Sequence, residues 1–581
     1  MTEKIDLSKI RSPKDIKGMN IEELSVLSEE LRKVLLDKLA AHGGHVAPNL
    51  GVVEATVALH YVFDAPADEI VFDVSHQSYV HKMLTGRIDA FLNPADYDNV
   101  AGYTCPRESN YDLFEIGHTS TSISLATGLA KARDIKGGQQ NVVAFIGDAS
   151  LGGGEALEGL DYGPELGSNF IVILNDNQMS IAENHGALYQ HLTALRESNG
   201  TAANNIFKAL GYDYIYVRDG NDLASLIKAY EYARNADHAV LVHINTMKGN
   251  GYAPAEADKE AFHYTAPFDE ATGEPLSVDP TPDYTDIFTQ HMLDRMAADK
   301  NIVTLTAGTP GAIGFAPAQR HKAGRQFIDV GICEQDATAM AAGLAKGGAK
   351  PVFGVMATFI QRAYDQLSQD VAINGLPVVV VDFAGGIYGI PDMTHLGFFD
   401  VAMISNIPNI QFLAPATKEE YLAMIDYALV QRERPVVIRT PGGPVVSSDR
   451  KVNTDFFSYD IVEEGSEIAI IGEGAMLQTA MQAAEILRKQ GKNPTVVNPR
   501  ILSSVDEKTL DGLKGYKTIV TIDDGIIDGA FGQKVAAYMA GSGVRVVCLG
   551  LKKEFLDRYN IGEVLKENNL TPEQVAEVAL A

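Results

Sequence analysis

The chain has 581 residues, 46% of them hydrophobic and 21% charged, too long for one hydrophobic core and free of low-complexity tracts. Its formal charge of -28 argues against a nucleic-acid backbone as partner, although a locally basic pocket can still take a small anion. No apolar run reaches the roughly 18 residues of a membrane span, the opening "MTEKIDLSKIRSPKDIKG" lacks the apolar core of a secretory signal, and Cys105, Cys333 and Cys548 make neither a metal spacing nor a disulfide framework. A reducing cytoplasm is the expected setting, with no membrane and no nucleic acid as partner.

From about residue 20 to 62 the apolar residues recur at helical spacing, in "IEELSVLSEELRKVLLDKLAAHGG" and "VVEATVALHYVF". Short apolar strands follow, each ending at a polar or glycine cluster: "IVFDVSHQS", "NVVAFIGDAS", "FIVILNDNQ" and "AVLVHINTMKGNG". Helical stretches separate them, which predicts parallel sheets covered on both faces. Residues 264–283, "YTAPFDEATGEPLSVDPTPD", carry no apolar periodicity and read as a linker. A second series then runs "NIVTLTAG", "QFIDVGICEQD", "PVFGVMATF", "LPVVVVDFAGG", "IQFLAPAT", "PVVIRTPGG". A third follows with "EIAIIGEG", "NPTVVNPR", "TIVTIDDG" and "RVVCLGL". The fold class is α/β, with three doubly wound α/β domains.

Open α/β sheets place ligands beyond the carboxyl ends of their strands. One such strand ends at Asp148, and Asn177 opens the loop after the next. Neighbouring parallel strands would bring this carboxylate and this amide oxygen side by side. With a nearby carbonyl they form an oxygen cage that suits Mg²⁺, whose remaining positions go to phosphate oxygens and water. The small residues of "GDASLGGG", including Gly147, Ala149 and Ser150, let a diphosphate approach the backbone at a helix start, which favours anions. Two ordinary turns would explain the same letters, so the reading needs support from elsewhere in the chain.

That support is a resemblance. The stretches "HGGHVAPNLGVVEATVALHYVF", "DVSHQSYVHKMLTGR", "FEIGHTSTSIS", "ILNDNQMSIAENHGAL", "KGNGYAPAEADKEAFH", "EQDATAMAAGLA" and "ATFIQRAYDQLSQDVA" are similar, in order, to those of the 1-deoxy-D-xylulose-5-phosphate synthase family of the transketolase superfamily. "TIVTIDDGIIDGAFG" extends the likeness, more loosely, into the third domain. The resemblance implies a thiamine-diphosphate-binding, transketolase-like fold plus a transketolase C-terminal domain. Residues 1–263 would bind diphosphate and metal, 264–283 would link, 284–442 would bind the pyrimidine, and 443–581 would be the C-terminal domain. It also implies a homodimer whose site is built between the first two domains of one chain.

The roles follow residue by residue. Asp148, Asn177 and the Met179 carbonyl would hold Mg²⁺ on the diphosphate. His76, His118 and Ser120 would line the diphosphate and the reacting end, with Lys248 near the phosphates. Phe359 would stack on the aminopyrimidine, and Glu334 would bind its ring nitrogen. A carboxyl there favours the imino tautomer, which can take the thiazolium proton, and a dry site should raise its pKa. His45, His263 and His395, together with His76, would surround the substrate as near-neutral imidazoles that steady oxygen and move protons. His42 and His81 have weaker claims. Arg362 and Arg439 would anchor the acceptor phosphate. The implied reaction condenses pyruvate with glyceraldehyde 3-phosphate with loss of CO₂, feeding isoprenoid and thiamine biosynthesis.

The sequence also departs from the family pattern. Met356 stands where a tyrosine is usual, and "DFAG" puts Phe383 where an arginine would meet the acceptor phosphate. Asp392 is the candidate for an acidic residue that does not align, a second arginine after Arg439 is missing, and Ala149 replaces a glycine. Losing one guanidinium removes a contact worth about 1.5–3 kcal/mol. Two alternatives therefore stand beside the synthase: a transketolase-like ketol transferase acting on another, possibly modified, sugar phosphate, and a non-catalytic paralogue. The segment after Leu188 is short, so any cover over the site would be reduced.

Overall fold

A computed structural model describes residues 4–581, which divide into two units. The first comprises residues up to Pro280 together with Gly331–Cys333. Its sheet is built from β1 (Glu69–Phe72), β2 (Val142–Gly147), β3 (Phe170–Asp176), β4 (Asp213–Val217) and β5 (Ala239–Asn245), in the order β1-β2-β3-β5-β4. All pairs are parallel. The central strands are apolar along their whole length because both faces are covered. One face packs the helices at 21–42, 53–62 and 223–234 around Phe72, Phe145, Ile173 and Val242. The other packs the helices at 122–136 and 154–162 around Ile146, Val172 and Leu174.

The second unit comprises Thr281–Val330 and Glu334–Ala581 and holds two sheets. One contains β6 (Ile302–Thr306), β7 (Phe327–Asp329), β8 (Lys350–Met356), β9 (Val379–Phe383), β10 (Gln411–Leu413) and β11 (Val436–Arg439), ordered β10-β11-β9-β8-β6-β7 and parallel throughout. The other contains β12 (Asp460–Glu463), β13 (Ile468–Gly472), β14 (Thr495–Asn498), β15 (Thr518–Ile526) and β16 (Arg545–Leu551), ordered β12-β14-β13-β15-β16. Its edge strand β12 runs antiparallel to β14.

The second and third α/β series of the sequence thus share one unit, and the reason is a common core. Phe412 and Leu413 on β10 lie in the same apolar cluster as Ile501, Leu502 and Phe531. The backbones are also stitched: the Ala414 N–H donates to Arg500 O at 2.8 Å and the Leu502 N–H to Phe412 O at 2.8 Å. Two strands were not expected from the sequence, β4 and β12. Both are edge strands with mixed rather than apolar burial, so neither shows the run that marks a strand covered on both faces.

Candidate active site

In the first unit the parallel register sets Gly147 opposite Asn175. Asp148 is one residue beyond this pair and Asn177 two beyond it, so the two oxygen-bearing side chains leave neighbouring strand ends. Asp148 is 1% exposed and its carboxylate accepts a hydrogen bond from Asn184 Nδ2 at 2.8 Å. Burial pushes the Asp148 carboxyl well above the usual range, and the nearby Asp176 adds to that. Asn177 Oδ1 accepts from the Met179 N–H at 3.1 Å, and Met179 pairs with Glu183 across a tight loop. An amide oxygen has a second lone pair, so this turn leaves Asn177 able to coordinate. Asn184 Oδ1 and Ser180 Oγ are buried in the same loop without a hydrogen-bond partner. A hard cation that takes oxygen ligands fits this donor set.

Asp176, the last residue of β3, was missed as a site residue although it lies in the quoted "NDNQ" stretch. Burial pushes its carboxyl up, but His243 and Arg196 outweigh burial and hold it below the usual range. His243 Nε2 lies 2.9 Å from Asp176 Oδ2, Tyr214 Oη lies 2.8 Å from His243 Nδ1, and Arg196 pairs with the same carboxylate. This buried chain keeps one negative charge beside Asp148.

The backbone close to Asp148 is shaped for close approach. Gly147 precedes a short helical turn, Asp148–Leu151, that contains Ala149 and Ser150. Ala149 sits inside that helical turn, which explains why alanine is accepted in place of glycine. Gly153 is different: a Cβ there would lie 2.2 Å from Ser120 Oγ. Ser120 itself has φ +73°, and its Oγ donates to Ser150 O at 2.7 Å. His118 stands two residues earlier in the same turn, half-buried.

Three of the expected histidines come together. Ring centroids of His45 and His76 are 4.9 Å apart, of His76 and His263 5.2 Å, and of His45 and His263 5.7 Å. Tyr264 and Tyr103 flank His45 at 5.0 and 5.9 Å. Lys248, 2% exposed, donates to Ser180 O at 2.6 Å and lies 3.1 Å from His263 Nδ1. Burial pushes the Lys248 amine down to about 7, with Asp148 opposing. Burial, reinforced by Lys248 and the two other imidazoles, holds His263 well below its ordinary value. Asn49, also missed, is fully buried and donates from Nδ2 to His45 O at 2.8 Å and to His76 O at 2.7 Å. One amide thereby fixes two histidine-bearing turns. His81 instead lies between His60 and Asp112 at 2.9 and 2.8 Å, and His42 sits at the surface 2.8 Å from Asp98.

In the second unit Glu334 opens the helix Glu334–Lys346 and is 3% exposed. Burial raises its carboxyl, and Arg362, with Nη1 at 3.7 Å from Oε2, opposes the rise. Phe359 and His395 meet edge to face at 5.6 Å. His395 is held by Thr394, whose Oγ1 lies 2.8 Å from Nδ1, and by Asp392 at 3.7 Å. Asp392 accepts from the Thr394 N–H at 2.8 Å; burial pushes it up, but His395 and Thr394 bring it below the usual range.

Arg439 is a correction. As a phosphate anchor it should present its guanidinium to a ligand, yet it is buried among carboxylates. Nε and Nη2 donate to the two oxygens of Asp400 at 2.6 and 3.0 Å, and Nη1 donates to Glu473 at 2.9 Å and also to Asp524. Three acids from three segments take four of its five N–H donors, so Arg439 serves the core of this unit. Phe383 is 3% exposed and packs edge to face on Phe288 at 5.2 Å. Its side chain belongs to the core, and Met356 at the end of β8 is likewise buried.

The family model described as "1-deoxy-D-xylulose-5-phosphate synthase" matches residues 7–204, "Transketolase, pyrimidine binding domain" matches 280–444, and "Transketolase, C-terminal domain" matches 458–575. The chain is 37% identical to the 1-deoxy-D-xylulose-5-phosphate synthase of Desulforudis audaxviator, over 94% of this chain and 92% of that one. It is 38% identical to the protein of that name from Symbiobacterium thermophilum, over 99% and 94%. Among solved structures, a transketolase from Leishmania mexicana is similar at 17% identity and a TM-score of 0.46, over 97% of both chains.

Proposed function

The chain belongs to the 1-deoxy-D-xylulose-5-phosphate synthase family, and on that premise we propose that it condenses pyruvate with glyceraldehyde 3-phosphate, with loss of CO₂, using thiamine diphosphate. The observation that supports the reading is the pairing of β2 with β3, beyond whose last pair Asp148 and Asn177 follow on neighbouring strand ends, together with the histidines gathered near Lys248. Asp148, Asn177 and the Met179 carbonyl are assigned to Mg²⁺, and Gly147, Ala149, Ser150, His118 and Ser120 to the diphosphate. Thiamine diphosphate supplies the carbon nucleophile and the electron sink for decarboxylation.

The chain's own groups bind, orient and move protons. Glu334, whose carboxyl burial raises against Arg362, would hydrogen-bond the pyrimidine ring nitrogen, and Phe359 would cover the ring. His263, held neutral, has its Nδ1 facing Lys248; once that amine is charged and donates to Nδ1, the ring would carry its hydrogen on Nε2 and offer it to a substrate oxygen. His45 and His76 would hold the substrate's oxygens, and Arg362 and His395 are the groups assigned to the acceptor. The enzyme acts as a homodimer in the cytoplasm; among the described residues no helix is long and apolar enough to cross a membrane.

The test is to supply the purified full chain with thiamine diphosphate, Mg²⁺, pyruvate and the aldehyde phosphate, and to follow CO₂ and product mass. No gas and no deoxyketose phosphate would refute the reading. The buried Phe383 and the sequestered Arg439 favour a second reading, in which another sugar or aldehyde replaces this acceptor. Product from a ketose donor without CO₂ would favour ketol transfer instead.

A further inference from the structure

We propose that Asp73 is a positioning residue that holds the His118–Ser120 turn in its cofactor-binding shape before the cofactor arrives; this rests on the assignment of that turn to the diphosphate. Asp73 directly follows β1, and its N–H continues the strand pairing by donating to Phe145 O at 2.8 Å. Its side chain is fully buried. Oδ1 accepts the Ser120 N–H at 2.8 Å and Oδ2 accepts the Ser122 N–H at 2.9 Å. Both oxygens are therefore spent on the backbone of one turn.

That turn needs holding. Ser120 has φ +73°, in the left-handed region where a side chain is disfavoured and glycine is the ordinary occupant. Val74 and Ser75, just after Asp73, are also left-handed at +57° and +66°. Such conformations persist only where the surroundings over-determine them, and they gather at functional sites. Here the surroundings are explicit. Ser75 Oγ donates to Ile116 O at 2.6 Å and accepts from the Thr104 N–H at 2.8 Å. Ser120 Oγ reaches Ser150 O, so the clamp extends from the end of β1 to the turn that begins at Asp148.

A bland account would make Asp73 a helix cap. The helix Ser122–Lys136 has Thr121 at its N-cap position without a capping side-chain bond, and Asp73 supplies the missing carboxylate from another strand. The two accounts separate because the cap needs only Ser122, whereas positioning works through Ser120. They predict different behaviour when residue 120 no longer needs to be forced into the left-handed region.

The experiment is a double-mutant cycle on the full chain: wild type, Asp73→Asn, Ser120→Gly and the double variant, titrated with thiamine diphosphate in Mg²⁺ by calorimetry. Asp73→Asn turns one acceptor into a donor facing an N–H and should weaken cofactor binding about tenfold, the loss of one charge-assisted contact. Turnover at saturating cofactor should fall by less than about threefold, because the chemistry is elsewhere. In the Ser120→Gly background the same change should cost about threefold or less, since glycine takes φ +73° unaided. Equal penalties in both backgrounds, or wild-type affinity in Asp73→Asn, would overturn the positioning role while leaving the functional reading standing. A wild-type chain that takes up no thiamine diphosphate would overturn that reading first. Hydrogen exchange on the unsubstituted, cofactor-free chain checks the same claim without a variant: the 118–122 peptide should be protected, and exchange at open-loop rates would refute preorganisation.

Discussion

Lys248 offers the sharpest quantitative test of the diphosphate end. Its amine is buried beside Asp148 and His263 and has been pushed down to about 7. At pH 8 such a group carries a proton about one-tenth of the time, and at pH 6 about nine-tenths. A diphosphate placed near it favours the charged form and lifts its pKa back toward the ordinary 10.5. Binding at pH 8 should then take up about 0.9 proton through Lys248, against about 0.1 at pH 6. The sign follows: uptake means that affinity falls as pH rises, by about threefold per unit near pH 7 and about tenfold per unit above pH 8. Asp148 works the other way, because a metal arriving on its raised carboxyl expels a proton. The assay is calorimetric titration with thiamine diphosphate and Mg²⁺ in two buffers of different ionisation enthalpy, comparing wild type with Lys248→Met. The difference between the proteins reports the lysine together with the rise in Asp148 that follows when its positive neighbour is removed. If Lys248→Met takes up the same number of protons as wild type at pH 8, the lysine is not the titrating group and the argument fails.

Other outcomes follow from the same geometry. Arg439→Met leaves Asp400, Glu473 and Asp524 buried without their cation and should cost about 3–5 kcal/mol in urea unfolding; its kcat/KM should fall equally for glyceraldehyde and its 3-phosphate, and a selective loss for the phosphate would restore Arg439 to the acceptor site. Glu334→Gln keeps the shape but removes the acidic proton, so turnover should drop by about 10²–10⁴ while calorimetric cofactor affinity changes little. Burial raises Asp523 to about 7, with Asp524 adding to it, against the unfolded 3.8. Its contribution to stability is full below about pH 4 and is lost as pH rises through about 7. Burial lifts Glu473 and Asp382 in the same direction. Urea midpoints should therefore be higher at pH 5.5 than at pH 8, and the opposite order would refute the acid cluster.

The legible part of this protein was local. "VVAFIGD" and "FIVILND" are short apolar runs rich in β-branched residues and ending in a polar residue, the pattern of a strand covered on both faces, and β2 and β3 occupy those positions. Sequential parallel strands joined by a helix commonly lie side by side, so chain order alone implies neighbouring ends for Asp148 and Asn177, and β2 does pair with β3. The edge strands β4 and β12 escaped because an edge needs no continuous apolar run. Asp73 escaped for another reason: its letters look like any acid after a strand, and its partner N–H groups at Ser120 and Ser122 lie 47 and 49 residues away.

By itself, then, the sequence determined the kinds of strand, their alternation with helices and the chemical types available at each strand end. Those depend on side-chain pattern within a dozen residues. Only the tertiary structure decided which charges meet. The resemblance implied a phosphate anchor at Arg439, but its carboxylates arrive from 39, 34 and 85 residues away. A guanidinium binds whatever anion the fold brings within reach, and long-range packing sets that reach.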